Sequence, residues 1–143
     1  MKNRMRGYSL VEFVFSTSIA MLLSAVSFPS VTTSLETYRL RNDARKIVAQ
    51  SQNARFRAVS SNMSHRLHFN GTTLEVQRRT GVSYTTVEAT PLASGIRIQS
   101  AWSQDPVFSP RGSVSPAASV TLTNGRGMLR TVSISVLGLV TEQ

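Results

Sequence analysis

The side chains that most often carry out chemistry in proteins are few in this chain. Its 143 residues include two histidines, seven acids and no cysteine, which excludes disulfides, thiolate metal sites and cysteine nucleophiles. His65 and His68 lie three residues apart in a predicted strand, where they face opposite sides and are more simply exposed or half-packed than a metal pair. No carboxylate pair stands out for acid–base chemistry, and no serine lies in a Gly-x-Ser-x-Gly elbow. We therefore predict a protein without enzymatic activity, metal or cofactor.

Cations are abundant and unevenly placed. Sixteen lysines and arginines against seven acids give a net charge of +9, which favours anionic partners such as nucleic acid, lipid head groups or acidic proteins. Lys2, Arg4 and Arg6 are crowded at the start, and no further cation occurs before Arg39. Residues 8–28 are largely apolar and contain one charge, Glu12. If this segment spans the inner membrane, the asymmetry of positive charge predicts that the N-terminus is cytoplasmic and that the rest of the chain, on the C-terminal side, lies outside the membrane.

The apolar segment at residues 8–28 has two interpretations. As a helix it would be about 32 Å long, close to the hydrocarbon thickness of a bilayer. It can be a secretory signal peptide with Ala25-Val26-Ser27 as its small-x-small cleavage site, or a retained membrane-spanning helix. Glu12 favours the retained helix, because a carboxylate in lipid is costly and a disposable signal has no use for one.

The residues around Glu12 form a specific motif. Arg6-Gly7-Tyr8-Ser9-Leu10-Val11-Glu12-Phe13 has a basic leader ending in Gly, an apolar or aromatic residue, a small hydroxyl residue, two aliphatic residues and Glu. The motif resembles that of type IV pilin and pseudopilin precursors, with Tyr8 where Phe is usual. The resemblance implies that a membrane prepilin peptidase cleaves between Gly7 and Tyr8 and methylates Tyr8. It also implies a helix-loosening proline at Pro29.

A carboxylate at this position has a physical use. Cleavage would leave an α-amino group on Tyr8, which is partly or fully protonated near neutral pH. In a filament of stacked helices, that amino group can neutralise Glu12 of a neighbouring subunit and set the axial register, because an unpaired buried charge is strongly penalised. The alternative is that Glu12 reaches the lipid head groups. The implied partners are the peptidase, other pilin or pseudopilin subunits and the inner membrane.

The pattern changes after Pro29. Apolar residues recur at three- and four-residue steps from Leu40 to Ala58, which predicts an amphipathic helix to about Ser60. We expect a kink or local melting near Ala25, because Pro29 lacks an N–H and crowds the carbonyl four residues earlier. The predicted segments are a leader at 1–7, a membrane and polymerisation half-helix at 8–29, an amphipathic half-helix at 30–62 and a β-rich domain at 63–143.

Short β-branched or alternating runs fill the rest of the chain. They predict strands at 66–69, 74–78, 83–88, 96–100, 119–123 and 129–136. Asn70-Gly71 and Asn124-Gly125 predict hairpins with type I′ turns, and the proline-rich loop at 103–118 is expected to carry at most one short strand. The predicted fold class is therefore α+β, with a long N-terminal helix followed by an antiparallel sheet domain, as in pilins.

The C-terminal half resembles the end of the GspH/FimT type of minor pilins and pseudopilins. The matching stretches are Phe108-Ser109-Pro110-Arg111-Gly112, residues 120–126, and residues 130–135 followed by Gly138. The resemblance implies a filament subunit of a type IV pilus or a type II secretion pseudopilus. DNA-binding members have a Gly-Arg-x-Arg element where this chain has Gly138-Leu139-Val140-Thr141. The alternative function, DNA capture for uptake in transformation, would therefore depend on Arg126 and Arg130 of the preceding hairpin.

Overall fold

The structure is a computed structural model that describes residues 9–143, with side chains described for residues 9–24 and 34–143. The described chain forms one helix and nine strands. They are α1 (Leu10–Ser61), β1 (His65–Asn70), β2 (Thr73–Thr80), β3 (Ser83–Pro91), β4 (Arg97–Ser100), β5 (Val107–Phe108), β6 (Val114–Ser115), β7 (Ala118–Thr123), β8 (Leu129–Ile134) and β9 (Val140–Glu142). The chain divides into two compact units, the first ending at Leu35 and the second comprising Glu36–Gln143. The α+β class with antiparallel sheets is confirmed.

In the first unit, hydroxyl groups within α1 are satisfied by the helix itself. Thr17 Oγ1 donates to the carbonyl of Phe13 (2.9 Å), and Ser18 Oγ donates to that of Val14 (2.8 Å). Such bonds to the preceding turn let polar side chains sit on an apolar helix. The predicted membrane span stays a prediction, because no helix in the described part of the chain combines the length and hydropathy needed to cross a membrane.

The backbone of α1 is helical at both Ala25 and Pro29. Local melting near Ala25 is therefore not observed. Proline costs a helix one hydrogen bond and a clash one turn earlier, but the flanking turns can hold the helix together. The kink at Pro29 stays a prediction.

The second half of α1 is amphipathic, as predicted. Leu40, Ala44, Ile47, Ala54 and Ala58 are almost completely buried, at the three- and four-residue spacing of one helix face. They share one core with residues from both sheets. The sheet residues of that core include Leu67, Leu74, Val76, Phe108, Val114, Val120, Leu122, Val132 and Ile134. Buried residues alternate with half-buried ones along β7 and β8, which is typical of sheets with one face on a core.

The two sheets have the orders β3-β2-β1-β5-β6 and β4-β7-β8-β9. Every strand predicted from the sequence is present. The loop at 103–118 differs from the prediction, because it contains two short strands, β5 and β6, instead of at most one. β9 was not predicted at all. Strands of two or three residues are too short to show a period, and β5 is held by pairing with the distant β1.

Both predicted hairpins form at the expected residues, but the type I′ turns are wrong. In the first hairpin Asn70 pairs with Thr73, so Asn70 is the last strand residue and Gly71-Thr72 is the loop. Only Gly71 of these two has a positive φ (+60°), whereas a type I′ turn needs two. In the second hairpin Gly127 takes the left-handed conformation (φ +76°) and donates its N–H to the carbonyl of Asn124 (3.1 Å). That arrangement is typical of a three-residue loop with a glycine bulge.

Candidate assembly site

Glu12 lies in the first turn of α1. Its side chain is exposed and has no ion pair or hydrogen bond with any other described residue. The unpaired N–H groups of a helix N-terminus favour a nearby carboxylate, so the first turn of α1 is a favourable position for Glu12. Gly7 and Tyr8, the predicted cleavage and methylation residues, lie outside the described residues. The proposed pairing of Glu12 with the Tyr8 amino group is therefore not tested.

Large apolar side chains surround Glu12 on α1 and are exposed in this single chain. Leu10 is 79% exposed, Phe13 66% and Leu22 70%. Val11, Val14, Phe15, Ile19, Met21 and Leu23 are exposed as well. A contiguous apolar surface of this kind marks contact with protein or lipid. The first unit thus presents a single carboxylate within an apolar contact surface.

A polar cluster that the sequence did not reveal joins α1 to the edge strand β3. Gln50 Nε2 donates to Glu88 Oε1 (2.6 Å), and Asn53 Nδ2 donates to Glu88 Oε2 (3.0 Å). Arg57 Nη2 lies 2.9 Å from the same Glu88 oxygen. Charge-assisted bonds of this kind are stronger than neutral ones. A lone Glu in a threonine-rich strand was the one available signal, and its three helix partners are 31 to 38 residues away in sequence.

Two further residues in the part of α1 that belongs to the second unit, Asp43 and Arg55, bond to other segments of that unit. Asp43 is completely buried and accepts a 2.6 Å bond from the N–H of Ala93. Arg55 Nε donates to the carbonyl of Gly112 (2.9 Å), and its Nη1 is 3.5 Å from the carbonyl of Gly138. Arg55 therefore joins the helix to two loops that are far apart in sequence.

The two histidines face opposite sides of β1, as predicted. His68 is half-exposed, and its Nδ1 is 2.8 Å from Asp105 Oδ2. His65 is 3% exposed, and its Nδ1 is 3.0 Å from the carbonyl of Met63. The expectation that both rings would be exposed or half-packed is therefore wrong for His65, because the inward face of β1 carries it into the core.

Comparison with solved structures shows which fold this is. The minor pseudopilin EpsH from the Type 2 Secretion System of Vibrio cholerae matches with a TM-score of 0.62 and 10% identity, over 73% of this chain and 96% of EpsH. The type IV minor pilin FimU of Pseudomonas aeruginosa matches with a TM-score of 0.63 and 18% identity, over 76% of this chain and 90% of FimU. The chain has a pilin-like fold of the GspH/FimT type. Neither the family models nor the curated proteins give a match.

The β7–β8 hairpin of this GspH/FimT-type fold carries Arg126 and Arg130, the two arginines on which DNA binding would depend. Arg126 Nε lies 2.9 Å from Glu36 Oε2 on α1, so a carboxylate already neutralises part of its charge. Asn124 is buried, and its Oδ1 accepts the N–H of Arg126 (3.1 Å), which fixes the turn. Arg130 is half-buried on β8, opposite Leu122 of β7. The structure thus gives Arg126 a role in joining the hairpin to the helix.

The side of α1 opposite the core presents a continuous exposed stripe in the second unit of this pilin-like fold. Its members follow one another at steps of three or four residues, which places them on one helix face. We call these residues the outer stripe: Tyr38, Arg41, Arg45, Ala49, Gln52, Phe56 and Val59. Tyr38 is 68% exposed and Phe56 71%. Exposed aromatic side chains at both ends, with two cations between, are unusual for a face that meets only water.

Proposed function

We propose that this chain is a structural subunit, a minor pilin or pseudopilin, of a type IV pilus or a type II secretion pseudopilus. The observation that carries the proposal is the GspH/FimT-type pilin-like fold, and it is supported by the resemblance of residues 6–13 to the processing motif of pilin precursors. Two solved structures with this fold are a minor pseudopilin and a minor pilin. The role is one of assembly rather than enzymatic catalysis.

In this proposal the precursor lies in the inner membrane before assembly. The apolar segment at residues 8–28 spans the membrane once, with Lys2, Arg4 and Arg6 in the cytoplasm and the β domain in the periplasm. Prepilin peptidase removes residues 1–7 and methylates Tyr8. The subunit then leaves the lipid with its helix intact.

Assembly follows from the chemistry of the first unit. The exposed apolar side chains of α1 leave lipid and pack against helices of neighbouring subunits, so no apolar surface has to enter water. Glu12 enters a dry helix interface together with these side chains, and a single unpaired charge there is strongly unfavourable. The amino group of a neighbouring Tyr8 supplies the opposite charge, and only one axial register brings the two together.

The test is the presence of the full-length protein in sheared filaments of its own host. We expect a tagged chain to be recovered with the filament fraction, in amounts far below those of the main subunit. The uncleaved Gly7→Glu variant serves as control and should remain with the membranes. Normal filaments that never contain the wild-type chain would rule the proposal out.

DNA capture is not proposed. Arg126 is in an ion pair with Glu36, and Gly138-Leu139-Val140-Thr141 contains no arginine. Each phosphate contact in such a site requires a cation that is available to the backbone of the nucleic acid.

A further inference from the structure

We propose that the outer stripe of α1 docks a second pilin-type subunit that differs from this chain and presents an acidic surface. This inference rests on the proposed function, because it names the partner of a filament subunit. It commits to a protein of complementary charge and not to another copy of the chain.

The outer stripe contains two arginines, Arg41 and Arg45. Arg41 and Arg45 are exposed, lie one helical turn apart, and have no ion pair or hydrogen bond within the described residues. On the same helix, Lys46 pairs with Asp43 and Arg57 with Glu88, so these two cations are engaged within the chain. Arg41 and Arg45 therefore remain available for an external carboxylate.

Another copy of this chain would offer few unpaired acids to the outer stripe. Six acids lie in Glu36–Gln143, against thirteen lysines and arginines. Five of the six already bind partners within the chain. These are Glu36 with Arg126, Asp43 with Lys46, Glu75 with Thr86 and Gln77, Glu88 with Arg57, and Asp105 with His68 and Arg66. A second copy would thus present mostly unpaired cations to the stripe, and like charges across an interface are unfavourable.

The rest of the outer stripe is mostly apolar. Beyond Arg45 it continues through Ala49 and Gln52 to Phe56 and Val59, which are 71% and 52% exposed. A nucleic acid backbone would satisfy the arginines and leave this apolar end in water. A protein surface with carboxylates beside apolar side chains covers both parts. Tyr38 at the other end adds an aromatic side chain, a residue type enriched in protein interfaces.

The experiment places a photo-crosslinking amino acid at Ala49 of the full-length protein in its natural host. The control places it at Val82, which is 97% exposed on the β2–β3 turn. Adducts are isolated from sheared filaments and identified by mass spectrometry. We expect Ala49 to yield an adduct with a different, acidic pilin-type subunit, and Val82 to yield much less of it.

Charge reversal then tests the arginines. Arg41→Glu with Arg45→Glu should lower the yield of the Ala49 adduct by about tenfold, because carboxylates would face carboxylates. The matched control is Arg97→Glu with Arg111→Glu, which changes the net charge equally at two exposed positions off the helix and should leave the yield within about twofold. Reversing the acids of the identified partner should restore the adduct of the double variant.

Several outcomes would overturn the inference. An adduct with a second copy, with DNA, or with a subunit that presents no acidic surface would show that the stripe has another occupant. So would equal losses from the two double variants, or no Ala49 adduct in filaments that contain the protein. These results leave the proposed function in place, whereas absence of the chain from the filaments rejects the proposed function itself.

Discussion

Gly138 lies directly against the guanidinium of Arg55. A Cβ atom at position 138 would be 2.9 Å from Arg55 Nε and 3.0 Å from the carbonyl oxygen of Gly112. The glycine therefore lets Arg55 approach the two loop carbonyls that it joins to α1. Its φ of +74° adds a second requirement for glycine, since side chains disfavour that conformation.

These two requirements can be separated by experiment. Gly127 has nearly the same φ (+76°), but a Cβ there would meet no atom within 4 Å. We expect Gly127→Ala to destabilise the protein by about 1 kcal/mol through backbone strain alone. Gly138→Ala should cost about 2 to 3 kcal/mol, because it also displaces Arg55 from its carbonyls. Denaturant unfolding of the two variants measures the difference, and equal losses would show that the Arg55 contact contributes nothing.

The pKa of Glu75 gives a second prediction. Hydrogen bonds from Thr86, Gln77 and Asn70 lower the pKa of this carboxyl below its ordinary value, and the bond from Thr86 Oγ1 (2.8 Å) has the largest effect. Because the folded-state pKa is lowered, Glu75 stabilises the fold above its unfolded pKa, and this contribution is lost as the pH falls through the folded pKa. Thr86→Val should therefore raise the pKa of Glu75.

The measurement is a titration of the Glu75 carboxyl by NMR spectroscopy in wild type and variant. Thr85→Val is the matched control, because Thr85 is the neighbouring exposed residue and its hydroxyl bonds to Thr80 instead. It should leave the titration of Glu75 where it is in wild type. If Thr86→Val and Thr85→Val gave the same titration curve, the assignment of the lowered pKa to the Thr86 hydroxyl would be wrong.

The main elements of the fold could be predicted from local patterns in the sequence. The period from Leu40 to Ala58 gave the buried helix face, and alternating runs gave six of the strands. The turn type at Asn70-Gly71 could not be predicted, because it depends on the strand register that pairs Asn70 with Thr73. In the same way β5 is defined by its partner strand and not by its own two residues.

Some features of the candidate site could likewise be predicted from the sequence, and others could not. The exposure of the apolar residues around Glu12 could be expected from the sequence. The segment is apolar on all sides, and a single chain cannot cover every side of such a helix. The contacts of Arg55, Arg57 and Glu88 could not be foreseen, because each joins residues more than 30 positions apart. Whether a helix arginine is free or engaged is decided by the loop or strand packed against it.

Processing of the precursor gives a third prediction. Coexpression with a prepilin peptidase should remove residues 1–7 and leave methylated Tyr8 as the first residue. Gly7→Glu should block cleavage, because a bulky charged side chain would occupy the position of the glycine at the scissile bond. N-terminal sequencing and mass spectrometry measure both results. A mature protein that begins at Phe28 would instead establish a secretory signal peptide.

The last prediction concerns the charge of Glu12. Glu12→Gln keeps the size of the side chain and removes the carboxylate, so insertion into the membrane should be unchanged or improved. Assembly should decrease about tenfold, because the amino group of a neighbouring Tyr8 would enter the helix interface without a counter-charge. Immunoblots of the membrane and sheared-filament fractions measure the two effects separately. Glu12→Asp, which keeps the charge on a shorter side chain, should assemble better than Glu12→Gln. If the Gln variant entered filaments as efficiently as wild type, Glu12 would not set the register, and the exposed apolar surface of α1 would have to do so alone.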